Sequence, residues 1–147
     1  MNASIYLIIS EGYLIHAEAK TKSGFYISCD PFIRIAVEDA NADVLASAVK
    51  AVLVYEHNDR FPDPTNWKEF EETFLRKAGL SSIRPLAKAG TKLVGVEKKD
   101  NLIRFQSNKH VGNANYTPIN NEIKVAAAAS NEELIKALEL AFDHCES

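Results

Sequence analysis

Four histidines and two cysteines are the side chains of this sequence best suited to acid–base, nucleophilic or metal chemistry. They are His16, His57, His110, His144, Cys29 and Cys145. No histidine has another histidine, a cysteine or a carboxylate four residues away, the spacing that places two ligands on one helix face. Cys29, beside Asp30, has the setting of a strand-end cysteine rather than of a nucleophile. We therefore predict no metal site and no cofactor.

The segment around His110 contains the residue types of a small ribonuclease site. Lys109 precedes His110, Tyr116 follows, and residues 107–114 form a polar stretch that predicts a loop. A histidine can exchange protons at neutral pH, and a lysine can bind phosphate. The alternative is a solvated loop histidine, which is favoured because the sequence fixes no second acid or base beside it.

Carboxylates are concentrated in and just before the second predicted helix. They are Asp59, Asp63, Glu69, Glu71 and Glu72. Such a group is ordinarily a solvated face, and the alternative is a docking surface for a basic partner. In that case the carboxylates would speed association, and buried aromatic side chains would supply most of the affinity.

Composition limits the classes of protein that this sequence can encode. The 147 residues suit one domain, 1–147, with 46% hydrophobic and 25% charged residues and a net charge of -3. The basic footprint of a nucleic-acid-binding protein is absent. The sequence has no recognisable secretory signal and no apolar stretch near the ~20 residues of a membrane helix. We expect a cytoplasmic protein that is a monomer before it meets a partner.

Hydrophobic periodicity predicts an α+β fold. Strands are predicted at 4–9, 13–19, 25–28, 32–37, 92–98, 102–106 and within 116–125, with a turn at Asp30-Pro31. Helices are predicted after a cap at Asp39 or Asn41, over 65–78, and after a cap at Ser130. Trp67, Phe70 and Phe74 are predicted to mark the buried side of the 65–78 helix, which ends at Gly79.

The two ends of the chain share an order of elements and a weak residue correspondence. Ile33-Arg34-Ile35-Ala36 aligns with Ile123-Lys124-Val125-Ala126 at a shift of 90 residues. We interpret this as two βββα half-repeats, 4–56 and 92–145, with a helical insert at 60–90. Two such halves favour an antiparallel-rich sheet with helices on one side.

Four segments together resemble a known family. They are Lys77-Ala78-Gly79-Leu80-Ser81-Ser82, the hairpin Leu93 to Phe105, Tyr116-Thr117-Pro118-Ile119, and Ser130-Asn131-Glu132-Glu133-Leu134. Their order resembles the immunity proteins of bacterial contact-dependent growth inhibition systems. The resemblance implies an inhibitor without catalytic residues that binds a cognate toxin, often a nuclease acting on tRNA or DNA, in a one-to-one complex.

Under this interpretation the candidate toxin-binding residues are those already singled out. They are Asp59, Asp63, Glu69, Glu71, Glu72, Lys109, His110 and Tyr116. Two other functions remain open at the level of sequence. One is a small ribonuclease or hydrolase that uses His110, Lys109 and Tyr116. The other is an adaptor or ligand sensor, which a deep apolar pocket would favour.

Overall fold

The computed structural model describes residues 2–54 and 60–147, and six antiparallel strands form one sheet in the order β3-β2-β1-β4-β5-β6. The strands are β1 Asn2–Ile8, β2 Gly12–Lys20, β3 Tyr26–Ile35, β4 Lys92–Lys99, β5 Leu102–His110 and β6 Tyr116–Ala126. The helices are α1 Ala42–Leu53, α2 Trp67–Ala78, α3 Arg84–Ala87 and α4 Asn131–Asp143, with a 3-10 turn at Val37–Asp39. The predicted α+β class, with an antiparallel sheet and packed helices, is confirmed.

Both faces of the sheet are buried, at least in part, because its strands alternate apolar side chains between them. Ile5 and Ile15 on one face join the main core with α1 and α4. Ile8 and Leu14 on the other face join a smaller core with Leu86 of α3 and the end of α2. The expectation that helices would lie on one side was wrong, because the segment between the predicted half-repeats covers part of the second face.

Capping side chains define where the helices begin. The Asn41 Oδ1 accepts a hydrogen bond from the backbone N–H of Val44 at 2.9 Å, and the Ser130 Oγ accepts one from Glu133 at 3.2 Å. Ser130 was the predicted cap of α4, and Asn41 is one of the two caps predicted for α1, since these side chains satisfy N–H groups that a helix leaves unpaired. At the end of α2, Gly79 adopts a φ of 70°, the left-handed conformation that glycine tolerates best.

Strand β3 continues through Asp30-Pro31, where a turn was predicted. Its pairing with β2 shifts between His16 and Ala17, so that Ala17 lies opposite Cys29 and His16 lies opposite Phe32. The two intervening residues form a bulge, where a proline can lie because no ladder N–H is needed. The Asp30-Pro31 dipeptide, which is typical of turns, therefore lies at a β-bulge inside one strand.

Strand β5 extends to His110, which corrects the prediction that 107–114 is a loop. Ser107 and Asn108 are buried, and the donor groups of their side chains are satisfied by backbone carbonyls. The Ser107 hydroxyl donates to Ala141 of α4 at 2.6 Å, and the Asn108 amide donates to Leu93 of β4 at 3.1 Å. Hydrogen bonds to distant segments thus allow a polar sequence to form a buried strand.

The half-repeat stays a prediction. The strand order places β1–β3 on one side of the central β1–β4 pair and β4–β6 on the other. Helices α1 and α4, which follow β3 and β6, both pack into the main core and contact each other. This is the arrangement that two βββα units joined through their first strands would produce.

Candidate protein-binding site

The three residues of the alternative ribonuclease site, Lys109, His110 and Tyr116, are close together at the ends of β5 and β6. His110 pairs with Tyr116 in the ladder, and their rings stack with centroids 4.7 Å apart. The His110 Nε2 donates a hydrogen bond to the Asn113 carbonyl, closing the turn between the strands. Lys109 is exposed on the same strand. His110 therefore contributes to hairpin structure through both its ring face and a ring nitrogen.

The Tyr116 hydroxyl is also engaged in the fold. It donates to the Leu86 carbonyl of α3 at 2.6 Å. Burial, followed by the nearby Cys145 thiol, raises the pKa of Tyr116 to about 12, so the phenol keeps its proton at neutral pH. The arrangement ties α3 to β6.

The predicted acidic residues divide into two groups. Asp63 accepts hydrogen bonds from both the backbone N–H and the hydroxyl of Ser23, and these bonds lower the pKa of its carboxyl group. Asp63 therefore joins the segment before α2 to the β2–β3 turn. Glu69, Glu71 and Glu72 are exposed on the first turns of α2. Asp59, like His57, lies outside the described residues.

Trp67 does not face the core, which corrects the prediction for the buried side of α2. Its side chain is 55% exposed, and its ring contacts Phe25 at 5.9 Å and Phe70 at 5.7 Å between centroids. Phe25, which precedes β3, is 39% exposed. We call Phe25, Trp67 and Phe70 the aromatic patch. Sequence reasoning missed it because helical periodicity identifies an apolar stripe but does not show what covers it.

A half-open apolar cavity of about 340 Å³ lies beside the aromatic patch, between β3 and α2. Phe32, Phe70 and Phe74 line it together with the ion pair between Lys77 and Asp30, whose Nζ and Oδ2 are 2.8 Å apart. Cys29 also lines the cavity. Burial, and then the charge of Asp30, raises the pKa of this thiol to about 11, so a nucleophilic thiolate is not formed at neutral pH.

His16 lies beneath this region in a cluster of aromatic rings. Its ring stacks on Phe32 with centroids 5.2 Å apart and meets the edge of Phe74 at 5.7 Å. The Nδ1 donates to the Ala17 carbonyl at 2.9 Å. Burial lowers the pKa of His16, outweighing the opposite effects of that hydrogen bond and of the Glu18 carboxylate. His16 is therefore neutral in the folded protein at neutral pH.

Acidification is expected to destabilise the fold through His16. The unfolded chain binds a proton at this site below about pH 6.5, whereas the folded chain resists protonation. The free energy of unfolding therefore decreases as the pH is lowered, by up to about 1.4 kcal/mol per pH unit. Urea unfolding at pH 7.5 and 5.5 measures the loss. A His16→Leu variant should lose less stability over this interval than the wild type. Equal losses in both proteins would contradict the assignment.

Among residues 2–54 and 60–147, no group of three His, Cys, Asp or Glu side chains has an arrangement that could hold a metal ion. Within the same residues, no helix is long and apolar enough to cross a membrane.

Comparison with known proteins identifies the family. The sequence model of the CdiI family, the CDI immunity proteins, matches residues 13–145. A search of curated proteins finds no match. Two solved structures share the fold. One is a protein of unknown function, NMB0488 from Neisseria meningitidis, with a TM-score of 0.75 and 15% identity over 99% of this chain and 94% of that chain.

The other structure is a CdiA-CT/CdiI toxin and immunity complex from Yersinia pseudotuberculosis. Its TM-score is 0.74, with 14% identity over 99% of this chain and 97% of that chain. At these identities the likeness shows a shared fold, whereas the family match covers most of this sequence. The chain belongs to the CDI immunity protein family, whose members neutralise toxins.

Proposed function

We propose that this protein acts in the cytoplasm by forming a one-to-one complex with the toxin domain of its cognate contact-dependent inhibition effector. The family match over residues 13–145 is the observation that carries this proposal. The fold shared with the Yersinia toxin and immunity complex supports it. Binding, rather than chemical modification of the toxin, would block the toxin's active site or the surface that engages its substrate.

The cognate toxin is proposed to be a nuclease, with tRNA as one candidate substrate class. A nuclease needs positive charge to hold a phosphate backbone. This chain has a net charge of -3, which suits association with such a partner and disfavours direct binding to nucleic acid. The hydrogen bonds and stacking of His110 and Tyr116 support a non-enzymatic function, since both side chains hold local structure.

Small-ligand binding is the second candidate function, and the cavity between β3 and α2 is the observation that favours it. Its volume of about 340 Å³ falls at the lower end of the usual range for ligand pockets, roughly 300–1,000 Å³. Saturation of the purified protein by a metabolite, together with failure to protect cells from the toxin, would favour this candidate over toxin inhibition.

Co-expression tests the main proposal. The toxin-like domain encoded immediately upstream of this chain's gene is induced in cells with or without the chain, and the two proteins are then co-purified. We expect growth to be rescued and a complex of equal stoichiometry to be recovered. A toxin from an unrelated system serves as the control and should remain lethal. Continued growth arrest with soluble chain present would contradict the proposal.

Charge reversal on α2 is expected to slow association. A variant with Glu69, Glu71 and Glu72 changed to Lys should show an on-rate about tenfold lower than wild type at low salt, with the difference shrinking at high salt. Asp63 is left intact because it holds Ser23. The matched control reverses three exposed carboxylates elsewhere, at Glu38, Glu139 and Asp143. Equal and salt-insensitive on-rates for both variants would exclude steering by α2.

A further inference from the structure

We propose that the aromatic patch of Phe25, Trp67 and Phe70 is the anchor of the toxin interface. The partner would be a toxin domain that covers Trp67 with an apolar side chain flanked by Lys or Arg. This inference rests on the proposed function and specifies where binding takes place. It favours the beginning of α2 over the Lys109 and His110 end of the sheet.

Exposure is the first argument. The exposed aromatic side chains of the described residues are Phe25, Tyr26 and Trp67, and all three lie at the start of β3 or of α2. The other exposed large apolar residues, such as Leu140 of α4, are aliphatic. A clustered and exposed group of large aromatic rings is unusual on a monomer and is typical of binding surfaces, where Trp is enriched among energetically dominant residues.

Hydrogen bonds join the two segments that carry the patch, which is the second argument. The segment before α2 is hydrogen-bonded to the end of β2 and the β2–β3 turn. The backbone N–H of Phe61 donates to the Lys20 carbonyl at 3.0 Å, and the backbone N–H of Lys22 donates to the Phe61 carbonyl at 2.9 Å. The Asp63–Ser23 hydrogen bonds strengthen this connection. Two segments that are distant in sequence are thus held side by side, with the rings of Phe25 and Trp67 in contact. A preorganised surface loses less conformational entropy on binding.

The adjoining cavity is the third argument. Phe70 belongs both to the patch and to the cavity lining, so the two form a continuous apolar surface. Interfaces gain much of their affinity where a side chain of one partner fills a pocket of the other. The volume of about 340 Å³ is large enough to accept an aromatic side chain.

Charge on the α2 side of the patch indicates the chemistry of the partner that would face it. On this side the first two turns of α2 carry Glu69, Glu71 and Glu72 against one base, Lys68, whereas Lys22 and Arg60 lie at the β2–β3 turn on the Phe25 side. None of these glutamates forms an ion pair within residues 2–54 and 60–147. Carboxylates at the rim of an apolar patch complement a surface that presents Lys or Arg beside an apolar group. A basic nuclease domain satisfies both requirements.

Alanine substitution tests the anchor. With the purified toxin domain, Trp67→Ala is expected to weaken binding by roughly 30-fold or more, and Phe25→Ala by a smaller factor. The matched control is Leu140→Ala, since Leu140 is 47% exposed on α4 and should change affinity by less than about twofold. Thermal unfolding of each variant shows whether the fold is intact, and Trp67→Phe should retain more affinity than Trp67→Ala.

A spectroscopic measurement reports contact without a substitution. Trp67 is the one tryptophan in the sequence, so incorporation of 5-fluorotryptophan gives a single ¹⁹F resonance. If Trp67 anchors the interface, we expect this resonance to shift when the unlabelled toxin domain is added. If Trp67→Ala binds the toxin domain with wild-type affinity and the resonance does not shift, the patch is not the anchor, although toxin binding itself still holds. Absence of any complex with the wild-type chain would overturn both proposals.

Discussion

Replacing Phe105 with Ala is expected to lower the free energy of unfolding by about 3–5 kcal/mol. Phe105 is 0% exposed in the middle of β5. Its register partners are Val96 of β4 and Ile123 of β6, and it belongs to the main core with α1 and α4. Truncation removes buried apolar surface and leaves a cavity among elements that can relax only partly. Small domains are stable by about 5–15 kcal/mol, so this loss is a large fraction of the total.

Phe25→Ala is the matched control, because it removes the same atoms from an exposed ring. It should change the unfolding free energy by less than about 1 kcal/mol. Urea unfolding followed by circular dichroism measures both variants. The pair separates stability from binding, since Phe25 belongs to the proposed anchor and Phe105 does not. Equal stability losses would contradict the assignment of Phe105 to the core and Phe25 to the surface.

Gly12→Ala is expected to cost roughly 2–5 kcal/mol, from positive-φ strain of about 1–2 kcal/mol and overpacking of about 1–3 kcal/mol. Gly12 begins β2 with a φ of +113°. A Cβ at this position would lie 2.2 Å from the Ile35 carbonyl oxygen and 2.9 Å from the Val37 nitrogen. Both contacts are backbone atoms at the end of β3 and the following turn, so no side-chain rotation can relieve them.

Gly79→Ala provides the comparison for Gly12. Its φ is +70°, and no atom lies within 4 Å of the added Cβ, so only the conformational cost applies. We expect a loss of about 1–2 kcal/mol, clearly less than that of Gly12→Ala. Chemical denaturation of both variants gives the difference. A larger loss at Gly79 than at Gly12 would contradict the close approach of Gly12 to β3.

Local chemistry predicted the ends of the elements better than their interiors. Asn41, Ser130 and Gly79 act through neighbours within five residues, so their effects can be read from sequence. The Asp30-Pro31 bulge and the polar end of β5 depend on partners far along the chain. Ser107, for example, is satisfied by the carbonyl of Ala141, a contact that no local pattern indicates.

The same contrast between local and long-range contacts applies to the candidate site. The acidic group on α2 was predicted from composition, because charged side chains on a helix are exposed with few exceptions. The aromatic patch was not, since Phe25 and Trp67 meet only after the segment before α2 is bonded to the β2–β3 turn. His110 and Tyr116 were named from the sequence as members of one candidate site, but their stacking and hydrogen bonds depend on the β5–β6 register.

Stoichiometric titration of the toxin tests the central claim most directly. The purified toxin domain is held near 1 µM, a concentration well above the roughly nanomolar dissociation constant expected of a protective inhibitor. Its cleavage of nucleic acid is measured as the chain is added. Neutralisation by binding predicts a linear fall that reaches zero at one equivalent. Full activity in the presence of excess chain, or complete inactivation by a small fraction of an equivalent, would contradict it.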